Sequence, residues 1–589
     1  MDGFFGTAYY GQRGNNCDGL MKSVFHFLAG CLLLLASTAV GADTQLVLTN
    51  ARVYTLNPAQ PWADTVAISG GIIQYVGDRA GADSHIGQQT RLMDLDGQMV
   101  LPGFQDIHIH PVHSGVSYQQ CALFDIVGVD NLLAKVAACA ADNPEWAWVR
   151  GGGWTVDNFA PSGLPDKKLL DKLLPDRPVS LKSSDGHSLW VNSKALELAG
   201  INASTPDPDG GRIDRYPGSR EPSGSLQEES GMALIHLVEP ELTHVEMVEG
   251  LRFAQQHLNA LGITAVQDAL VKLESRDAYR SFPAYHVLDE AGELSLHVVA
   301  AMYWENHLPV KQQVRRFKKA RKQHSRGLVR ATSIKIWQDG VLETHTAALL
   351  APYLDKPDGY RGELLNNQER VDEAAARLDK AGFQLHFHAI GDAAIRSSLD
   401  AIQHARKKNG ARDSRHHISH IQLFDPADIP RFAALDVVAN FQPYWAVNDS
   451  YIIDLTLPKI GPQRGKYLYP IGSVSRSGAK IAFGSDWYVS SADPLLGIET
   501  AITRIDVSGE SDQPLGSNEE ISLEQAIAAY TINAAYVNFL EQSTGSIEVG
   551  KSADLAVLDN NLFAIPVTRI SDTRVTATLF QGRLVAGKL

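Results

Sequence analysis

The chain has 589 residues, a formal net charge of −14 and 44% hydrophobic residues, which indicates a globular protein larger than one ordinary domain. Binding along nucleic acid needs clustered Lys and Arg on a basic protein, so this charge argues against a nucleic-acid partner. The one basic run, residues 315–322, is better explained as the solvent-facing side of a helix.

The first predicted element is an apolar segment over residues 24–40, which Lys22 precedes and small residues follow. Charged, apolar and small-residue sections in this order are typical of a secretory signal peptide. We therefore predict that residues 1–42 are an N-terminal extension and signal peptide, with translation starting at Met1 or Met21. Cleavage would leave a periplasmic protein without a stable membrane anchor.

Short apolar runs with strand character fill residues 43–100 and recur in residues 541–589. Because the two chain ends share this pattern of short strand-like runs, we predict a small β-sandwich domain built from both. The central part of the chain would then be an insertion in that domain.

Cys121 and Cys139 are the two cysteines beyond residue 42. In an oxidising compartment two such thiols favour a disulfide, which would contribute about 3 kcal/mol in the chain-entropy model. The alternative is two independent buried thiols.

Residues 101–540 alternate apolar strand-like runs with amphipathic helical stretches, which predicts a parallel α/β architecture. Ten runs qualify as strands, two more than a barrel of eight requires, and residues 146–151 are one candidate for an accessory strand. An insertion around residues 200–235, rich in Pro, Gly and Asp, is too long for a simple connection and is expected to act as a lid.

Metal-ligating side chains stand at the ends of the predicted strands, where the active sites of barrels lie. His108 and His110 are two residues apart on one strand, so their side chains point the same way and can reach one ion. Later strands end with four further residues of this kind: Lys335, His388, His420 and Asp486. Together they offer nitrogen and oxygen ligands for one or two divalent ions, with zinc as the expected metal.

The order of these residues resembles that of the amidohydrolase superfamily, specifically its YtcJ-like branch, which includes N-substituted formamide deformylases. Further similar stretches are residues 185–193, 262–268, 339–353 and 550–555. The resemblance implies a metal-dependent hydrolase whose (β/α)8 TIM-like barrel accompanies the small β-sandwich domain.

Carried over residue by residue, the resemblance implies two metal positions. The first would be held by His108, His110 and Asp486, and the second by His388 and His420. Lys335 would be carboxylated and bridge the ions, because an unmodified ammonium group has no lone pair for a metal. The alternatives are a charged Lys335 paired with a carboxylate such as Asp339 and a site with a single ion.

Other polar residues near these strands are expected to play supporting parts. His386 and His417 would support the barrel rather than touch metal. Asp268 and Asp392 would orient the ligands from behind.

The implied reaction is hydrolysis of a carbon–nitrogen bond other than a peptide bond, in a linear N-acyl or N-formyl amide. A bound divalent metal lowers the pKa of its water enough to give hydroxide at neutral pH, and Asp486 would act as the general base. Either the second metal or His187 would polarise the substrate carbonyl group, and His187 would face the substrate unless it is structural. Trp154 would line the substrate pocket, unless it packs in the core.

Three other functions stay open. Esterase or lactonase activity would use the same hydroxide, so the leaving atom is not specified. A deaminase of this barrel type would carry a glutamate where Gly391 stands. A ligand-binding barrel without turnover would not need all six ligand-type residues. The expected partner is a small-molecule substrate, and a homodimer is one assembly that the sequence allows.

Overall fold

In the part of the chain that the structure describes, residues 45–589 of this computed structural model, eight parallel strands form the central sheet. Each pairs with the next in chain order, and barrel strands one to eight are Phe104–Ile109, Ile263–Val271, His297–Tyr303, Val329–Trp337, Gln384–Ala389, His417–His420, Val438–Phe441 and Ile481–Phe483. The strands are buried almost throughout, as expected when side chains fill the barrel and helices cover its outside. The predicted (β/α)8 TIM-like barrel is confirmed. The predicted signal peptide, residues 1–42, lies outside the described residues.

Barrel strands eight and one are tied together at the end that carries the predicted ligands. The backbone amide of Asp486 donates to the carbonyl oxygen of His108 at 2.7 Å. The buried carboxylate of Asp106 accepts from the backbone amides of His108 and Ser485, each at 3.0 Å. These bonds hold His108 and Asp486 side by side.

Helices follow most barrel strands. The α-helices of residues 45–589 are Pro111–Gln119, Val129–Asp142, Lys167–Leu173, Ser193–Leu198, Glu228–His236, His244–Ala260, Phe282–Glu290, Val310–His324, Gln368–Lys380, Asp392–Asn409, Ile429–Ala434, Leu457–Gly465, Ile471–Arg476, Pro494–Thr503, Leu523–Ala529 and Ile532–Val537. The helix Pro111–Gln119 packs closely against the helix His244–Ala260 at Gly115. A Cβ atom at this position would lie 1.8 Å from the Gly250 carbonyl oxygen. No helix of residues 45–589 has the length and apolarity needed to cross a membrane.

Strands from both chain ends form the two sheets of the small β-sandwich. One sheet contains Leu46–Thr49, Thr65–Ser69, Ile72–Gly77 and Arg91–Asp94, and the other contains Arg52–Tyr54, Trp62–Ala63, Met99–Pro102, Leu555–Leu558, Val575–Phe580 and Arg583–Gly587. Leu555–Leu558 pairs antiparallel with Met99–Pro102, so the chain ends meet in one sheet. Leu48, Val66 and Val557 belong to the apolar cluster that both sheets bury. The sandwich predicted from both chain ends is confirmed.

An accessory sheet lies in the sequence between barrel strands one and two. Its strands are Cys121–Ala122, Val149–Trp154, Val179–Ser183, Ser188–Val191, Arg212–Arg215 and Pro222–Gln227. It accounts for the two predicted strands in excess of eight. Residues 200–235, the segment expected to act as a lid, contain two paired strands and the start of the helix Glu228–His236, and the lid stays a prediction.

The accessory sheet also places the two cysteines beside each other. Cys121 lies on its first strand, and Cys139 lies on the helix Val129–Asp142. Their Cα atoms are 5.6 Å apart, and the sulfurs are joined as a disulfide. The alternative of two separate thiols is not the arrangement in this structure.

Candidate active site

His108, His110 and Asp486 meet at the end of the barrel where strands one and eight finish. Nε2 of His110 lies 3.0 Å from Oδ1 of Asp486, and Nε2 of His108 lies 3.6 Å from the same oxygen. One potential ligand atom from each residue falls within 4.8 Å of the others. The backbone of Asp486 has a φ of 58°, a strained value for a residue other than glycine and one that is typical of functional sites.

The chemistry of this three-residue cluster fits a divalent metal ion. Within the described chain, Oδ1 of Asp486 is buried and makes no hydrogen bond of good geometry, although Nε2 of His110 lies 3.0 Å away. Because buried polar atoms are normally paired, this oxygen points to an ion or a water molecule beside it. Burial keeps the pKa of His108 well below its usual value, so its ring is neutral and has a lone pair for a metal. Two imidazole nitrogens and a carboxylate oxygen are ligands that zinc prefers.

Lys335, on barrel strand four, lies against this cluster. Its side chain is buried, and Nζ is 3.0 Å from Nε2 of His108. Burial lowers the pKa of Lys335 to about 7, although Asp486 acts in the opposite direction. The carboxylate of Asp339 instead accepts from the backbone amides of Ala348, Ile390 and Gly391. The alternative of a Lys335–Asp339 ion pair is therefore wrong.

His388 and His420 stand at the ends of barrel strands five and six, with ring centroids 4.4 Å apart. Nε2 of His388 faces the carbonyl oxygen of Gly340 at 3.3 Å, and Nδ1 of His420 faces Oε1 of Gln442 at 3.0 Å. Each ring keeps its other nitrogen for a ligand. All six predicted ligand residues line one pocket.

His386 supports His108 from inside the barrel. Its Nε2 is 3.0 Å from Nδ1 of His108, and its Nδ1 is 2.7 Å from Oε1 of Gln267. Because the Gln267 amide nitrogen donates elsewhere, its oxygen accepts from Nδ1 of His386, which leaves Nε2 of His386 as an acceptor. That acceptor faces both Nδ1 of His108 and the Ser419 hydroxyl, which is 2.9 Å away. The other nitrogen of His108 faces Lys335 in the pocket.

The remaining supporting residues lie farther from the cluster. His417 is buried, its ring nitrogens have no hydrogen bond within the described residues, and it does not line the pocket. Asp268 accepts from the hydroxyls of Ser281 and Tyr285, and Asp392 accepts from the Leu350 amide. Neither carboxylate is hydrogen-bonded to a predicted ligand, but Asp268 lies near enough to His110 for that ring to lower its pKa against the effect of burial, and the orienting role stays a prediction.

His187 lines the same pocket from the turn between two accessory strands, Val179–Ser183 and Ser188–Val191. Its Nδ1 is 2.8 Å from Oε2 of Glu228. Burial opposes charge on the ring, but the Glu228 carboxylate outweighs it and raises the pKa of His187 to about 9. The ring also stacks on Trp337. His187 is therefore held as a cation with Nε2 left for a ligand.

Glu228 is a site residue that sequence reasoning missed. It has a φ of 62° at the start of the helix Glu228–His236, in the segment predicted as a lid. A Cβ atom on Gly340 would lie 2.5 Å from its Oε1, so only glycine allows the carboxylate to sit this close to the backbone. Its contact with His187 depends on the pairing of Ser188–Val191 with Pro222–Gln227, for which the sequence carries no spacing signal.

Trp154 does not line the pocket. It is fully buried beside Phe159 and Trp190, and its Nε1 donates to the Leu181 carbonyl oxygen at 2.8 Å. A tryptophan packed in this way, with its N–H bonded, is a core residue. The aromatic side chains that line the pocket are Tyr279, Trp337 and Tyr488.

A larger cavity lies at the opposite ends of strands seven and eight, beside Val437 and Ile481. Its described lining includes the carboxylates of Asp436 and Glu524 but neither histidine nor cysteine. Because barrel chemistry takes place at the carboxyl ends of the strands, the smaller pocket is the candidate active site.

Comparison with known proteins agrees with this assignment. A protein-family model described as "Amidohydrolase family" matches residues 91–586. The chain is 32% identical to the protein LONG AFTER FAR-RED 3 of Arabidopsis thaliana, over 88% of each chain. It is 29% identical to the putative amidohydrolase YtcJ of Bacillus subtilis, over 91% of this chain and 98% of that one. It is 28% identical to an N-substituted formamide deformylase of Arthrobacter pascens, over 92% and 98%. The resemblance inferred from the motifs is confirmed.

The fold has a counterpart among solved structures. An uncharacterized metal-dependent hydrolase from Pyrococcus horikoshii superposes with a TM-score of 0.70 and 24% sequence identity. The match covers 89% of this chain and 99% of that one, so it includes both the barrel and the sandwich.

Proposed function

The chain belongs to the amidohydrolase family, metal-dependent hydrolases of carbon–nitrogen bonds other than peptide bonds, and from this premise we propose that its substrates are linear N-acyl or N-formyl amides. The observation that carries the proposal is the meeting of His108, His110 and Asp486 with a cationic His187 in one pocket. The similarity to an N-substituted formamide deformylase along nearly the whole of both chains supports the amide class.

In this proposal His108, His110 and Asp486 hold one divalent ion, and zinc suits their donor atoms. His388 and His420 are proposed to hold a second ion, with a carboxylated Lys335 between the two. When bound, such ions supply a water molecule that is acidic enough to be a nucleophile at neutral pH.

In this proposal one side chain transfers the protons and another stabilises the negative charge that develops on the substrate. Asp486, whose Oδ1 is unpaired, is placed to accept a proton from water and to return it to the leaving nitrogen. His187 is placed to donate from Nε2 to the carbonyl oxygen as negative charge develops there. Glu228 keeps His187 charged and holds its ring in place.

A hydrolysis screen of the metal-loaded protein tests the proposal. N-formyl amides, N-acyl amino acids, cyclic amides and esters are compared by initial rates, and we expect turnover of the linear amides. Asp486→Asn should lower kcat by about 100-fold or more, because the proton acceptor is lost. Asp512→Asn, at an exposed position, is the matched control and should keep wild-type kinetics. Turnover of esters alone would refute the amide class, and normal kinetics of Asp486→Asn would place the site elsewhere.

A further inference from the structure

The pocket contains a lysine that has no carboxylate partner. Lys182 projects from the accessory strand Val179–Ser183 and lines the pocket together with Asp486 and His187. Among the described residues, no carboxylate oxygen lies within 4.0 Å of its Nζ, which donates to the Tyr279 hydroxyl at 3.2 Å. Removing a cation from water without pairing it is costly, so such a lysine marks a place where an anion would be stabilised.

A second lysine beside the same tyrosine provides the contrast. Nζ of Lys272 is 2.5 Å from Oε1 of Glu229 and 3.7 Å from Oδ2 of Asp277. Both ammonium groups lie close to the Tyr279 ring, at 5.4 Å for Lys272 and 5.1 Å for Lys182. Lys272 is thus neutralised within the protein, and it does not line the pocket. Lys182 is the cation left facing a ligand.

Two tyrosine hydroxyls complete this part of the pocket. A Cβ atom on Gly186 would lie 3.5 Å from the Tyr488 hydroxyl and 3.8 Å from Nζ of Lys182, so both groups lie close to the backbone of Gly186. The Tyr488 hydroxyl is buried and lacks a hydrogen bond of good geometry within the described chain. Tyr279 accepts from Lys182 and donates its own O–H towards the Tyr488 oxygen, so it links the two groups. The ammonium group of Lys182 and the hydroxyl of Tyr488 are therefore the two donors left for a ligand.

We infer that Lys182, Tyr279 and Tyr488 form a subsite for an anionic group, and that the preferred substrates are N-acyl amides with a carboxylate close to the scissile bond. This inference rests on the proposed amide hydrolysis. A carboxylate accepts several hydrogen bonds at once and would use the donors of Lys182 and Tyr488, which Tyr279 holds in position. Trp337 and Tyr279 line the same pocket, which suits a substrate with an aromatic side chain.

Matched substrates test the inference on the metal-loaded protein. N-formylphenylalanine is compared with N-formylphenylalaninamide, and N-acetylphenylalanine with its carboxamide, by release of formate or acetate. We expect kcat/KM to be at least about 10-fold higher for each carboxylate, the scale of one hydrogen bond to a charged group. Lys182→Met should remove this preference mainly through KM, and Lys182→Arg should restore part of it.

Lys167→Met is the matched control, since Lys167 is a buried lysine that pairs with Glu221 outside the pocket, whereas Lys182 is half-buried and faces the pocket. Its carboxylate preference should equal that of the wild type. Equal turnover of both members of each pair by the wild type would overturn the inference and leave amide hydrolysis standing. A preference that persists in Lys182→Met, or that falls equally in Lys167→Met, would also overturn it. Failure to hydrolyse any of the four compounds would instead count against the proposed function.

Discussion

The orientation and charge of two histidines in the pocket depend on neighbours that are remote in sequence. Nε2 of His386 contacts Nδ1 of His108, 278 residues away, so the opposite nitrogen of His108 faces the metal position. Glu228 binds Nδ1 of His187 and favours its cationic form. The His108 ring is kept neutral as a ligand, and the His187 ring is kept charged as a donor. The two rings differ because a carboxylate is hydrogen-bonded to His187 and an imidazole contacts His108.

Glu228→Gln tests the charge on His187. In the wild type the raised pKa keeps His187 charged at neutral pH, and the charge is lost as the pH rises through about 9. Without the carboxylate, burial disfavours the cation, so the alkaline fall of kcat/KM should move to lower pH. At pH 8 we expect kcat to drop by about 100-fold, the usual cost of losing one donor to a developing oxyanion.

The measurement is a pH–rate profile of both proteins. Glu197→Gln, a surface residue paired with Lys194, serves as the control and should leave the profile unchanged. An alkaline limb at the same pH in Glu228→Gln and wild type would show that Glu228 does not set the charge of His187.

At the scale of elements, the accessory sheet contributes further side chains to the pocket, whereas the barrel carries the predicted metal ligands. Its strand Val179–Ser183 presents Lys182, the following turn presents His187, and Pro222–Gln227 leads into Glu228. The disulfide between Cys121 and Cys139 ties the first strand of this sheet to the helix that follows it. The sheet therefore has to stay intact for the pocket to keep these side chains in place.

The disulfide should measurably stabilise this part of the molecule. Closing the chain between residues 121 and 139 contributes about 3 kcal/mol in the chain-entropy model, so Cys121→Ala/Cys139→Ala should unfold at a lower temperature. Thermal unfolding with and without reductant is the measurement, and reductant should have no effect on the double variant. Two titratable thiols in unreduced, denatured protein lacking residues 1–42 would disprove the bridge.

The secondary-structure elements could be predicted more completely from the sequence than the residues of the site. Apolar runs identified all eight barrel strands, and the spacing of His108 and His110 identified a metal position, because both patterns are local. Val149–Trp154 and Val179–Ser183 carry the same pattern as barrel strands, so periodicity alone did not separate them. Lys182 and Glu228 were missed because their roles arise from strand pairing within the accessory sheet.

At the scale of the whole molecule, an acidic protein encloses a pocket with cationic groups. The net charge is −14, yet Lys182 and His187 face the same pocket as the predicted metal ligands. The barrel fixes the ligands at its strand ends, and the sandwich is attached to it by pairs such as Asp554 with His297, 2.9 Å apart. This division places the site at the ends of the barrel strands, next to buried polar side chains such as Gln267 and His386.

The central claim is that the cluster of His108, His110 and Asp486 holds a metal ion on which hydrolysis depends. Elemental analysis of the purified protein, combined with amide turnover before chelation, after chelation and after reloading with zinc, tests this claim most directly. We predict one to two ions per chain, loss of activity with the metal and its recovery on reloading, and no recovery in His110→Ala. Metal-free protein that hydrolyses amides at the full rate would contradict the account.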